Sequence, residues 1–254
     1  MSSAGKQSQV DTAGILVLDK PHGISSMAAV ATVRRRSGGL KTGHAGTLDP
    51  LATGVLVLAL GRATRSLSRV MQTTKRYRTR IDLGAYTETD DAEGDRHEVQ
   101  VDRPPTMDEV QVALGRFRGE QSQRPPAYSA VKVQGRRAYR SARAGEKVSL
   151  PLRRVIVHEL DIVSYDWPVL ELALHCGKGY YVRSLARDLG TVLRTGGTCL
   201  SICREAVGPF TLSSAIPLAD IPDPMATGLL LDLENAMDMI DRGDLHAGKS
   251  PVET

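Results

Sequence analysis

The stretch that most constrains this chain is Gly43-His44-Ala45-Gly46-Thr47-Leu48-Asp49-Pro50-Leu51-Ala52-Thr53-Gly54, followed at once by Val55-Leu56-Val57-Leu58-Ala59-Leu60. Glycines at this density let a backbone turn sharply and come close to a ligand. Leu48, Leu51 and the apolar run behind them require burial, which excludes a solvated linker. A loop pinned on both sides by apolar residues is a platform for holding one carboxylate, Asp49, in a fixed pose. Asp-Pro is also an ordinary turn initiator, and the pair alone does not separate the two readings.

Size and composition narrow the setting. A chain of 254 residues, 41% hydrophobic and 24% charged, is a soluble globular protein with room for one large domain or two small ones. No apolar run reaches the roughly 18 residues of a membrane span. The polar start, residues 1–13, reads as a disordered lead-in without a signal peptide, so a cytoplasmic protein is expected. Cys176, Cys199 and Cys203 form no Cys-x-x-Cys and the six histidines are scattered, so packed thiols are expected and no metal. Net charge is +4, but residues 219–254 hold eight acids against Arg242 and Lys249, leaving +10 on the rest. A basic body of that kind suits a polyanion, most simply nucleic acid, although generic surface charge gives the same count.

Along the chain, residues 14–20 read as a buried strand, and Ser25 or Ser26 caps a helix running to Arg36. Residues 54–60 form the next strand and 62–73 the next helix. From Arg76 to Gly84 the pattern alternates. Tyr77, Thr79, Ile81 and Leu83 take one face, and Arg76, Arg78, Arg80 and Asp82 the other. A Tyr at the end of an inner face can serve a nucleotide or simply fill the core. Thr106-Met107-Asp108-Glu109 is a capping box for a helix ending near Gly115. A turn and strand over 123–132 and a short helix over 138–144 follow. Residues 132–154 carry eight bases and one acid, the densest positive field in the chain. Strands over 154–163 and 169–176 lead to Gly177-Lys178-Gly179-Tyr180-Tyr181-Val182-Arg183, a junction into a helix, and a final strand spans 198–204. An acidic amphipathic helix is expected from 226 to 240.

The loop resembles the catalytic loop of TruB-type tRNA pseudouridine synthases, whose pattern G-H-x-G-T-L-D-P-x-A-x-G is matched at every fixed position by residues 43–54. Three further segments are similar to the family: Leu16 with Asp19-Lys20-Pro21, Gly23 and Ser25-Ser26, Leu83-Gly84 with Thr87, Thr89, Asp91 and Gly94, and Lys178-Gly179 with Tyr181 and Arg183-Ser184-Leu185. The chain departs from the pattern in two places. Tyr180 stands where the family has Thr, and Ile202-Cys203-Arg204 stands where it usually has L-R-R.

The resemblance covers about residues 14–212. It implies an α+β fold with a mixed, mainly antiparallel sheet, flanking helices and a central catalytic cleft. It also implies isomerisation of uridine to pseudouridine in the T-loop of tRNA, at position 55, with no cofactor. Asp49 would be the nucleophile, Arg183 its charge partner, and Tyr77 a stacking residue and proton-transfer candidate. Tyr181 and Ile202 would line the uracil pocket, with His44, Lys20 and Thr47 also on the substrate. A base stacked in folded RNA must be flipped out to be reached. Lys132, Arg136, Arg137 and Arg140 would hold the RNA backbone by charge and shape. Residues 14–212 would form the catalytic domain and 213–254 a short acidic extension, without the family's full C-terminal PUA domain and a bystander in RNA binding. The expected partner is the tRNA T-arm, with the protein monomeric and away from membranes. Three rivals compete: a non-catalytic RNA-binding module, a guide-RNA-dependent synthase of the dyskerin class, and a hydrolase using Asp49 with His44. An intact Asp49, Tyr77 and Arg183 oppose the first, the short C-terminus opposes the second, and the lack of a second carboxylate or Ser nucleophile at suitable spacing opposes the third.

Overall fold

The computed structural model describes residues 13–129, 132–133, 136–137 and 150–243. They are mainly antiparallel strands with five α-helices, an α+β architecture. The chain divides into two compact units. One comprises residues 1–75 and 203–254, the other 76–202. Elements are numbered in chain order.

In the first unit, β1 (Gly14–Lys20) pairs antiparallel with β3 (Thr53–Leu60) over seven residues, Gly14 facing Leu60 and Lys20 facing Gly54. Both strands read as continuous apolar runs because both of their faces are buried. β2 (Thr42–His44) lies antiparallel on β3, and the end of β12 (Thr198–Val207) pairs with it in parallel. β13 (Phe210–Thr211) folds back on β12, and β14 (Ile216–Pro217) runs parallel to β1. Helix α1 (Ser26–Arg36) starts where the Ser25 hydroxyl accepts from the Ala28 amide. The expected 62–73 helix is two pieces, a 3₁₀ segment over Gly61–Ser66 and α2 (Leu67–Gln72).

The acidic C-terminal helix is shorter and later than its composition suggests. A 3₁₀ turn occupies Thr227–Leu229, and α5 (Leu233–Gly243) begins after Asp232, whose carboxylate accepts from the amides of Glu234 and Asn235. Ala236 and Ile240, four residues apart, join Ile15, Val17, Val55, Val57, Val207 and Phe210 in one buried apolar cluster. The tail helix therefore completes the core of this unit, and its acids occupy the outward stripe.

The second unit is built on β4 (Lys75–Asp82), β11 (Val169–Cys176), β10 (Arg153–Asp166) and β7 (Gly119–Gln123), neighbours in that order. β10 runs antiparallel to both β11 and β7 and carries register shifts at Val157/Glu159 and Ile162/Ser164 against β11. Leu170, Leu172 and Leu174 are buried, as alternation predicts. His175 is also buried, tilted against His158 with ring centres 4.8 Å apart. Short hairpins join β5 (Ala85–Tyr86) to β6 (His97–Glu98) and β8 (Lys132–Val133) to β9 (Arg136–Arg137). The capping box holds. Thr106 and Glu109 exchange side-chain and backbone bonds at the start of α3 (Met107–Gly115), and Glu109, also gripped by Arg103, titrates at about 2. Helix α4 (Val182–Leu193) ends at Arg194, which takes the left-handed conformation at φ 57°. The expected helix over 138–144 lies outside the described residues. Among the described residues no helix is long and apolar enough to cross a membrane.

Candidate functional site

In the first unit, the 43–54 loop is fixed from several directions. Leu48, just before Asp49, exchanges two hydrogen bonds with the buried Ser26. The Ser26 hydroxyl donates to the Leu48 carbonyl at 2.9 Å and accepts from its amide at 2.8 Å. On the other side, the Pro50 carbonyl accepts from the Gly23 amide at 2.9 Å. The Ala52 amide donates to the Asp49 carbonyl at 3.0 Å and closes the turn, and the Ala45 amide ties the loop entrance to Val57. Leu48, Leu51 and Ala52 are buried while Asp49 is half-buried and Thr47 exposed. The apolar anchors thus point inward and leave the carboxylate at the boundary with solvent.

Lys20 belongs to this arrangement in an unexpected way. Its side chain is 0% exposed, and its ammonium donates to the carbonyls of Pro21 and Ile24 at 2.8 Å, with Pro50 at 3.5 Å. A buried ammonium is tolerated only when such acceptors surround it. Here it fastens the 20–24 turn beneath the loop. His44 is half-buried at the end of β2, and burial, reinforced by the facing Arg204 guanidinium, lowers its pKa below the usual 6.5. The imidazole is accordingly neutral at pH 7.

The second unit carries Tyr77, Tyr181, Arg183 and Ile202. Tyr77 is half-buried on β4, with Thr79 and Ile81 fully buried beyond it on the same face. Tyr181 precedes the first turn of α4. The Gln123 side chain fixes its backbone, donating to the Tyr181 carbonyl at 3.0 Å and accepting from its amide at 2.9 Å. Ile202 is buried on β12. Arg183 sits in the first turn of α4, only 4% exposed. It donates to Asp91 Oδ2 at 3.0 Å and to the carbonyls of Thr89 and Tyr128 at 2.9 Å each. The Thr89 hydroxyl donates in turn to Asp91 Oδ1 at 2.7 Å, and the Thr87 hydroxyl to the Asp91 carbonyl. A Cβ at Gly94 would stand 2.6 Å from the Thr89 hydroxyl oxygen, so any other residue there has to displace Thr89. Next to it Asp90, at φ 61°, pairs with Arg187 at 2.9 Å. Burial outweighs the attraction of Arg187 and Arg183 and raises Asp90 to about 6.

Sequence reasoning therefore selected Arg183 but not the acid that grips it in this unit. The signal was present, since Asp91 is the fixed acid of the 83–94 motif, but nothing local assigns its partner 92 residues away. Ser26 and Arg204 were missed for the same reason. The basic outer face of β4 is partly neutralised, Arg76 by Glu159 at 2.8 Å and Arg78 by Glu171 at 3.4 Å. Of the expected RNA-backbone residues, Lys132, Arg136 and Arg137 lie in the β8–β9 hairpin, described by its backbone pairing, and Arg140 lies outside the described residues. Two of the three thiols are packed, as expected, and Cys203 is half-buried. Cys176 and Cys199 are buried, and burial pushes Cys199 up to about 12. Among the described residues no group of three or more His, Cys, Asp or Glu is placed to hold a metal ion. An open pocket of about 640 Å³, lined by Val101, Val112, Arg116 and Leu193 among others, contains none of the residues selected from sequence.

Comparison with known proteins gives these features a family. Residues 34–182 match the family described as TruB family pseudouridylate synthase (N terminal domain). A protein of Corynebacterium efficiens named tRNA pseudouridine synthase B is 44% identical over 229 residues, covering 88% of this chain and 76% of that protein. Another of the same name, from Rhodopseudomonas palustris, is 43% identical over 258 residues, covering 94% and 70%. Among solved structures, a chain of a Cbf5–Nop10–Gar1 complex superposes with a TM-score of 0.69 at 26% identity, over 89% of this chain and 62% of that one. A chain of an H/ACA ribonucleoprotein bound to a substrate RNA containing 2′-deoxyuridine gives 0.63 at 24% identity, over 84% and 53%. This chain thus spans less than two thirds of either, and the second likeness concerns the fold alone. With a family match across more than half its length and relatives above 40% identity along most of it, the chain belongs to the TruB family of pseudouridylate synthases.

Proposed function

We propose that this chain converts uridine to pseudouridine in the T-loop of tRNA, at position 55, with Asp49 as the nucleophile. The reaction breaks the N1–C1′ bond, turns the uracil and joins C5 to C1′. The C5 proton leaves, N1 gains one, and no atom is lost or added. Such chemistry asks for a nucleophilic carboxylate kept ionised, a group for the C5 proton and a dry slot for the base. The observation that carries the reading is the mounting of Asp49. It is a half-buried carboxylate on a loop whose neighbours on either side, Leu48 and Pro50, are each bonded to a different part of the first unit.

In this reading Arg183 keeps the carboxylate ionised, and Asp91 and Thr89 preset the guanidinium. Tyr77 stacks on the uracil and serves the C5 proton transfer. Tyr181 and Ile202 line the slot. The neutral imidazole of His44, with Thr47, steadies the flipped nucleotide, and Lys20 acts through the turn beneath the loop. Lys132, Arg136, Arg137 and Arg140 hold phosphates of the T-arm, contacts that position RNA without reading it. The names of the relatives, tRNA pseudouridine synthase B, support tRNA as the substrate. A cytoplasmic setting follows from that substrate.

The test is Asp49→Asn, assayed by pseudouridine mapping on a tRNA transcript and by filter binding of the same RNA. Pseudouridine formation should vanish while affinity survives. A transcript with cytidine at position 55 should stay unmodified elsewhere. Substantial turnover by the purified variant sinks the nucleophile assignment, and modification at another uridine sinks the site.

A further inference from the structure

In sequence, Arg204 is only the last member of Ile202-Cys203-Arg204. In the structure it is among the largest fully buried side chains of the protein, 2% exposed. Its partners lie at the two ends of the Asp49 loop. Nη2 donates to the Gly46 carbonyl at 3.1 Å, and Nε donates to the Val55 carbonyl at 2.7 Å. Its main chain pairs with Gly54 in the parallel register of β12 on β3. Gly54 has φ +94°, and a Cβ there would stand 2.4 Å from the Arg204 carbonyl oxygen, so the two backbones approach as closely as glycine allows.

The chemistry at this position is costly. Arg204 is 2% exposed, and burying a guanidinium is unfavourable unless its donors are used. A Leu or Met would fill similar space without that cost. What the guanidinium adds is a rigid fork joining two carbonyls nine residues apart, with charge-assisted bonds that an aliphatic residue cannot make. The same group faces His44 and, after burial, is the next cause of its lowered pKa.

We propose that Arg204 is a positioning residue of the reaction: it staples both shoulders of the Gly46–Gly54 loop and so fixes where the Asp49 carboxylate stands. This rests on the reading of Asp49 as nucleophile. Misplacing a reacting group by about 1 Å costs roughly 100-fold in rate. The arrangement thus converts a buried structural bond into control of catalysis.

The experiment uses the full chain with Arg204→Met and Arg204→Lys, and Asp49→Asn alongside. Three readouts are taken on each: single-turnover pseudouridine formation, affinity for the same tRNA transcript, and amide exchange across the folded protein. For Arg204→Met, the rate should fall about 100-fold and affinity should stay within about threefold. Exchange should rise in residues 46–55 while β1 keeps its protection. Arg204→Lys, which keeps the charge but loses the fork, should recover part of the rate and still run about tenfold slow. If Arg204→Met does not melt cooperatively, Arg204→Lys decides on the same readouts. A folded variant turning over at the wild-type rate overturns the proposal. So does a parallel loss of rate and affinity with exchange raised throughout, the mark of a residue that only holds the fold. Turnover by Asp49→Asn condemns the nucleophile reading whatever Arg204 does. An inactive Asp49→Asn beside a fully active Arg204 variant condemns the positioning role alone.

Discussion

Ile240→Ala tests whether the acidic C-terminal helix is a structural part of the protein. Ile240 is 8% exposed and shares its cluster with Ile15, Val17, Val57 and Phe210. Truncating a buried Ile to Ala removes its transfer free energy and leaves a cavity, which together cost about 2–5 kcal/mol. The helix is terminal and its neighbours can close partly on the gap, so about 2–3 kcal/mol is expected. Against a total stability of roughly 5–15 kcal/mol, that loss is plain in a urea melt. The outward acids should behave differently. Asp241 pairs with Arg69, but both side chains are half-exposed or more, so Asp241→Asn should change stability by about 0.5 kcal/mol or less. Ending the chain after Ile221 removes Ala236 and Ile240 together and should cost more than Ile240→Ala alone. Loss of RNA affinity in that truncation then reports a damaged fold rather than a missing contact. The assay is circular dichroism in urea at fixed salt. An Ile240→Ala midpoint matching the wild type, or a truncated chain melting like the whole one, would refute the core assignment.

The remaining predictions concern two buried polar groups. The Tyr180 hydroxyl is buried with no hydrogen bond of ordinary geometry among the described residues, and its interaction with the Gln123 amide, which also holds the Tyr181 backbone, is weak. Tyr180→Phe should therefore be neutral or stabilising by up to about 1 kcal/mol in a urea melt, and a loss beyond about 1 kcal/mol would reveal a bond to that oxygen. His44 should titrate below 6.5 by NMR, because burial and Arg204 both oppose its proton. Its contribution to stability is then fully present above pH 6.5. It is lost as pH falls below 6.5, where the unfolded chain takes up the proton first, and a folded midpoint at or above 6.5 contradicts the site geometry.

What the sequence revealed and concealed follows from the range of the interactions involved. The 43–54 loop was legible because its determinants are local: glycines that permit the turn, leucines that anchor it and an apolar strand directly behind. The capping box at Thr106 and the alternation of β11 were legible for the same reason. The groups that hold the loop still were not. Ser26 lies 22 residues from Leu48, and Arg204 reaches the Gly46 carbonyl across 158 residues. No periodicity announces a serine or arginine whose partner is a backbone carbonyl, since every residue offers one. Charge counting left open what packing decides. The tail reads as −6 and hence as foreign to an RNA-binding body, yet a helix with acids on one stripe and Ala236 and Ile240 on the other is what an amphipathic core element looks like at that charge. The bases of β4 read as a basic face, and Glu171 on the adjacent β11 and Glu159 on β10 beyond it take up two of them. At the loop and at Arg183 the sequence pointed to the candidate group, and the fold supplied the distant group that restrains it. Substitutions at Arg204 and Ile240 therefore say more about how this protein works than further changes within the motif.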